Sequence, residues 1–127
     1  MKVIVSGLTP NGLAVASALS RHGADIVAID RNPQNLSQAE DRLDAMFLEG
    51  HEGTQESLSK AHADEADLVV CATRSDELNR FAAAQAGRLG AKGTIAIVRN
   101  TAYLEGAPGI RSEERRVGKE CRARWAA

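Results

Sequence analysis

Three short segments carry the residues whose types and spacing could do chemistry. GLTPNG, from Gly7 to Gly12, holds the two outer glycines of a G-x-G-x-x-G phosphate loop. In such a loop the first glycine permits a tight turn, the second lets a pyrophosphate approach the backbone, and the third lets helix pack on strand. Thr9 stands at the middle position. Its Cβ projects where phosphate oxygens would sit and is expected to limit affinity. The same residues also read as an ordinary strand-to-helix turn, with Thr9 as N-cap and Pro10 at the first helical position. Asp30 closes a later apolar run, 23 positions after Gly7. An acid there can accept both ribose hydroxyls of an adenosine and repels a 2′-phosphate, which favours NAD over NADP. Arg31 beside it pulls the other way. The third segment, CATRSDELN from Cys71 to Asn79, offers the hydroxyls of Thr73 and Ser75, and Ser75 or Asp76 can cap a following helix.

Other reactive types are scattered. His22, His51 and His62 fall in separate segments without metal-ligand spacing, and only His51 lies near the presumed site. No metal role is expected of them. Tyr103 is the single tyrosine and no Lys follows four positions on, so a Tyr/Lys proton relay is missing. Asp64, Glu65 and Asp67 read as a solvated approach to a strand.

These residues need elements to position them. Five apolar or β-branched runs (2–7, 25–30, 45–50, 67–73 and 94–98) alternate with helical patterns. Leu13, Ala16 and Leu19 share one face of the first helix, which Gly23 ends. Further helices are predicted over Pro33–Asp44, Thr54–His62 and Asp76–Leu89, the last ended by Gly90. Such alternation predicts an α/β, Rossmann-like three-layer fold with a five-stranded parallel sheet in the order 3-2-1-4-5. Its ligand site belongs at the carboxyl ends of strands 1 and 4. Hydrophobic residues make up 43% of the 127 and aromatics 3%, so the core must be aliphatic. A net charge of -1 gives no global argument for nucleic acid. Two cysteines without disulfide or metal spacing suit a reducing cytoplasm. The chain enters a strand at once, leaving no room for a signal peptide, and no apolar run reaches membrane-span length.

The co-linear order of GLTPNG, strand-end Asp30, EGHEGT, ADLVVCATRSDELN and IAIVRNTAYLE resembles the N-terminal domain of the TrkA/RCK family, the regulators of potassium conductance. The likeness spans residues 1 to about 106. It implies a non-enzymatic regulatory domain that binds NAD(H) or ATP/ADP. The implied partner is a membrane potassium transporter or channel subunit, gated from the cytoplasmic face by a homo-oligomer, dimer or ring. On this resemblance the nucleotide site falls on Gly7, Thr9, Gly12, Asp30, Arg31, His51, Thr73 and Arg99. The sequence departs from the family pattern at Thr9, at Pro10, at His51 where an acid is common, and at Ile97 where an Arg is usual. An alternative in another class is a fragment of an NAD-dependent dehydrogenase or epimerase.

The last residues break the pattern. Residues 1–110 hold 10 Lys and Arg against 14 Asp and Glu, whereas 111–127 hold 6 against 3. RSEERRVGKEC, Arg111 to Cys121, resembles the in-frame translation of a short-read sequencing adapter. The domain is therefore expected to occupy 1–109, followed by a non-native or disordered, dispensable tail over 110–127.

Overall fold

The computed structural model describes residues 1–100, 102 and 122–125. In chain order the elements are β1 (Lys2–Ser6), α1 (Pro10–Arg21), β2 (Asp25–Asp30), α2 (Pro33–Glu40) and β3 (Met46–Glu49). Then come α3 (Gln55–Lys60), a 3-10 turn (Ala63–Glu65), β4 (Leu68–Cys71), α4 (Asp76–Leu89), β5 (Thr94–Val98) and β6 (Arg122–Trp125). The first five strands are parallel and lie in the order β3-β2-β1-β4-β5, as the strand–helix alternation predicts.

Side chains leave each strand alternately to the two faces, and both faces are covered. Ile4, Ile29, Val69 and Cys71 pack with Leu58 of α3 and with Ala82, Ala83 and Ala86 of α4. Val3, Val5, Ile26 and Val70 pack with Ala16 of α1 and with Leu36 and Ala39 of α2. Small alanines let α4 lie close on the sheet, which suits a core almost free of aromatics. Each α-helix among the described residues starts on a side-chain cap: Thr9, Asn32, Thr54 and Ser75 accept from an N–H of the first turn. Gly90 ends α4 at φ 112, in the left-handed region.

Two elements differ from the sequence reading. The second helix, expected to reach Asp44, stops at Glu40 with Asp41 as its C-cap. Glu40, Asp41 and Asp44 crowd the negative end of the helix dipole, which disfavours further turns. Leu43 still reaches the core, from a turn whose N–H donates to Ala39 O at 2.9 Å. The second difference concerns 110–127, where no element is expected. The backbone of residues 122–125 instead forms β6, antiparallel to β5, with Val98 opposite Arg122 and Ile95 opposite Trp125. An edge strand offers a row of unpaired N–H and C=O groups, and β6 satisfies it. The remainder of that segment lies outside the described residues, as do Tyr103 and Cys121.

The amino end of the sheet is held by exposed ion pairs, Lys2 with Glu65 at 3.0 Å and Lys92 with Asp67 at 3.3 Å. The Lys2 ammonium, through its hydrogen bond, holds the Glu65 carboxyl below its ordinary range. For Asp67 the Lys2 backbone N–H does this first, with Lys92 second.

Burial pushes the Cys71 thiol up to about 12. A Cys121→Ser chain should therefore resist a thiol-exchange dye at pH about 8 while native and react fully once denatured, because only the thiolate attacks. Rapid labelling of the native protein would contradict this burial. The sign follows from linkage. The native thiol binds its proton more tightly than the unfolded one, so its contribution is complete below the ordinary thiol value of 9.0 and is lost as pH rises towards 12.

Candidate functional site

The carboxyl ends of β1 and β4 meet at the point where the strand order reverses, and a cleft of about 270 Å³ opens there. Gly7, Thr9, Asp30, Arg31 and Thr73 line it, so five of the eight sequence-predicted residues come together. A second cleft of about 540 Å³ lies along α1 and shares Thr9, Asn35 and Arg74 with the first.

Both glycines of the turn are required by the backbone. Gly7 sits at φ +104, and a Cβ there would lie 2.7 Å from Thr73 N and 2.8 Å from Ala72 C. A Cβ on Gly12 would lie 1.9 Å from Gly7 O. Gly12 is thus the close-packing glycine of the turn and sits beneath the cleft floor. Thr9 does not point its hydroxyl at the cleft. Its Oγ1 donates to Ala72 O at 2.5 Å and accepts from Gly12 N at 3.2 Å. One side chain therefore caps α1 and ties it to the end of β4.

Asp30 is 4% exposed and already holds several donors. Its Oδ2 accepts from Leu8 N at 2.8 Å and its Oδ1 from Asn32 N at 2.8 Å. The Asn35 amide lies 3.3 Å from both oxygens. A carboxylate offers about four lone-pair sites. A ribose diol reaching Asp30 must therefore displace the Asn35 amide, the weakest of these contacts by length.

Arg31 is fixed by a residue that sequence reasoning missed. Glu52 is 5% exposed, and its Oε1 lies 2.8 Å from Arg31 Nη2 and 2.9 Å from Nε, while Oε2 accepts from the Arg31 backbone N–H at 3.1 Å. The Glu52 carbonyl in turn accepts from Ser6 Oγ at 2.6 Å. No periodicity marks Glu52. The one signal in the sequence is the acid itself, inside EGHEGT and directly after His51.

His51 and Arg99 stand apart. His51 is exposed and does not line the cleft, and its Nδ1 accepts from Gly53 N at 3.1 Å. Arg99 borders a separate shallow surface with Asp76, and its backbone N–H donates to Asp76 Oδ1 at 3.1 Å.

The T-x-S-D-E-x-N string is explained by the loop it holds. Asn79 is fully buried. Its Oδ1 accepts from Thr73 N and from Thr73 Oγ1, both at 2.7 Å, and its Nδ2 donates to Thr73 O at 3.0 Å and to Ile97 O at 2.8 Å. Asp76 takes the next two N–H groups, of Arg99 and Asn100. The ends of β4 and β5 are thereby clasped to the start of α4, and Thr73 is set at the cleft wall. Among the described residues no group of three or more His, Cys, Asp or Glu could hold a metal, and no helix is long and apolar enough to cross a membrane.

Comparison with known proteins places this geometry among relatives. The TrkA-N domain model matches residues 3–110. The Trk system potassium uptake protein TrkA of Halomonas elongata is 34% identical over 105 residues, covering 82% of this chain and 23% of that protein. Its namesake in Vibrio alginolyticus is 31% identical over 105 residues, with the same coverages. The chain spans less than a quarter of the length of these curated relatives. Among solved structures, a crystal structure of a Lactobacillus casei protein matches with a TM-score of 0.52 at 25% identity, covering 72% of this chain and 45% of that one.

Proposed function

The chain belongs to the TrkA-N domain family, and on that footing we propose that it is the nucleotide-sensing domain of a regulatory subunit in a potassium-uptake system. The ligand is NAD(H) or ATP/ADP, and the partner is a membrane potassium transporter gated from its cytoplasmic side. The names of the Halomonas and Vibrio relatives support the potassium assignment. The observation that carries the nucleotide assignment is the cleft itself, which lies at the strand-order reversal between a glycine turn and a strand-end acid.

The residues present fit an adenine nucleotide. Gly7 and Gly12 bring the backbone and the start of α1 to the cleft floor, where the helix dipole favours a phosphate. Thr9 is turned away towards Ala72, so it withholds its hydroxyl from a phosphate. Asp30 receives the ribose once the Asn35 amide swings aside, and Thr73 borders the phosphates from the other wall. No bond is made or broken in this role, and the domain acts as a sensor and not as an enzyme. Ligand affinity that differs between two arrangements of a homo-oligomer, dimer or ring, shifts the partner's gate.

Asp30→Ala tests the reading. Two ribose hydroxyls on one carboxylate form charge-assisted hydrogen bonds of about 1.5–3 kcal/mol each. Affinity for NADH, ATP or ADP, measured by calorimetry, should fall by at least about tenfold. Thermal unfolding run alongside separates that loss from release of the Leu8 N–H. Equal affinity in a folded mutant would remove Asp30 from the site.

A further inference from the structure

We propose that Glu52 makes this cleft selective for adenine nucleotides that carry no 2′-phosphate, a proposal that rests on the nucleotide reading above. A 2′-phosphate on an adenosine is held by a free guanidinium beside the acid that ends β2. Arg31 occupies that place in sequence, directly after Asp30. Its guanidinium is not free. Glu52 takes Nε and Nη2 on one oxygen and the Arg31 backbone N–H on the other, which fixes the side chain at both its root and its tip.

The pair is lopsided. The Arg31 side chain is 55% exposed and that of Glu52 6%, so Glu52 is the member that cannot turn to solvent. A buried carboxylate keeps its cation, since losing it leaves an uncompensated charge. Arg31 therefore contributes a neutral pair to the cleft wall, and Asp30 adds a net negative charge beside it. The other cation on the wall, Arg74, comes from the loop after β4 and borders Thr9 and Pro10, on the α1 side. An incoming 2′-phosphate meets two carboxylates and a guanidinium already engaged.

The test is calorimetry on the 127-residue chain with two ligand pairs, NADH with NADPH and AMP with adenosine 2′,5′-bisphosphate. In the unmodified chain the 2′-phosphate should weaken binding by at least about tenfold in whichever pair binds. Glu52→Gln keeps the side-chain shape and one acceptor oxygen but releases the guanidinium, and the penalty should shrink to about threefold or less. Asn32→Arg adds an unpaired guanidinium at the exposed rim with Glu52 untouched, and should shrink it likewise. If Glu52→Gln does not fold, Glu52→Asp, whose shorter side chain cannot hold both the guanidinium and the Arg31 backbone N–H, is read in its place. Failure of the unmodified chain to bind any of the four ligands would overturn the nucleotide reading and this proposal together. Binding of the unphosphorylated ligands with an undiminished penalty in both variants would overturn only the role of Glu52. So would equal affinity for both members of a pair in the unmodified chain.

Discussion

Gly12→Ala should cost this domain about 3 kcal/mol or more, a large share of the roughly 5–15 kcal/mol that holds a domain of this kind folded. The added Cβ would lie 1.9 Å from Gly7 O and 3.3 Å from the Ala72 side chain. No rotamer relieves a Cβ. Either α1 lifts from the sheet, opening the layer that buries Ala16 against Val3 and Val5, or Gly7 shifts into Thr73. Helix propensity acts in the opposite direction, because Ala is preferred over Gly by about 1 kcal/mol in a helix interior. Gly87→Ala in α4 supplies the control, since a Cβ there meets nothing within 4 Å. Urea denaturation should show Gly87→Ala more stable than the parent by about 0.5–1 kcal/mol and Gly12→Ala far less stable. A Gly12→Ala protein as stable as the parent would mean that the turn is not packed as described.

Asn79→Leu should lower stability by about 2–4 kcal/mol, although it replaces a polar side chain by an apolar one of similar volume in a fully buried place. Volume is not what this residue contributes. Its amide satisfies Thr73 N–H, Thr73 C=O and Ile97 C=O, which belong to two strands' ends and have different directions. A leucine leaves those groups without partners, and each buried unsatisfied group costs about 1–3 kcal/mol. Chemical denaturation gives the total, and amide hydrogen exchange locates it, with Thr73 N–H losing protection first. Unchanged stability would show that water replaces the amide in full.

The sheet order was legible in the sequence because each strand is a short apolar run and each helix begins on a hydroxyl or Asn cap. Those are local signals, and Thr9, Asn32, Thr54 and Ser75 all serve as caps. The ligand-facing wall was legible to the same extent. Gly7, Asp30 and Thr73 stand at strand ends, and the topology carries them to one edge. What stayed hidden was pairing at long range. The bond from Leu8 N to Asp30 crosses 22 positions and the Arg31–Glu52 pair 21, with nothing in the spacing to announce either. Asn79 belongs to the T-x-S-D-E-x-N motif, yet nothing in the motif announces its reach to Ile97, 18 positions on. His51 and Arg99 fell outside the cleft for a related reason. Family position assigns a residue to a neighbourhood, while the turn at Gly53 and the Asp76 carboxylate decide where each backbone goes.

The contact between the glycine turn and the end of β4 sets which wall of the cleft can give. Gly7 lies against the Ala72 and Thr73 backbone without room for a methyl group, Thr9 bridges to Ala72 O, and Ala72 N–H donates to Ser6 O at 2.8 Å. Those two loops are one stiff body. Across the cleft, the Asn35 side-chain amide lies 3.3 Å from both Asp30 oxygens, and the exposed Arg31 guanidinium reaches Glu52 at 2.8 Å. The β1–β4 side of the cleft is therefore the wall set by close main-chain contact, and the α2 side is the one whose lining contacts can change by side-chain rotation alone.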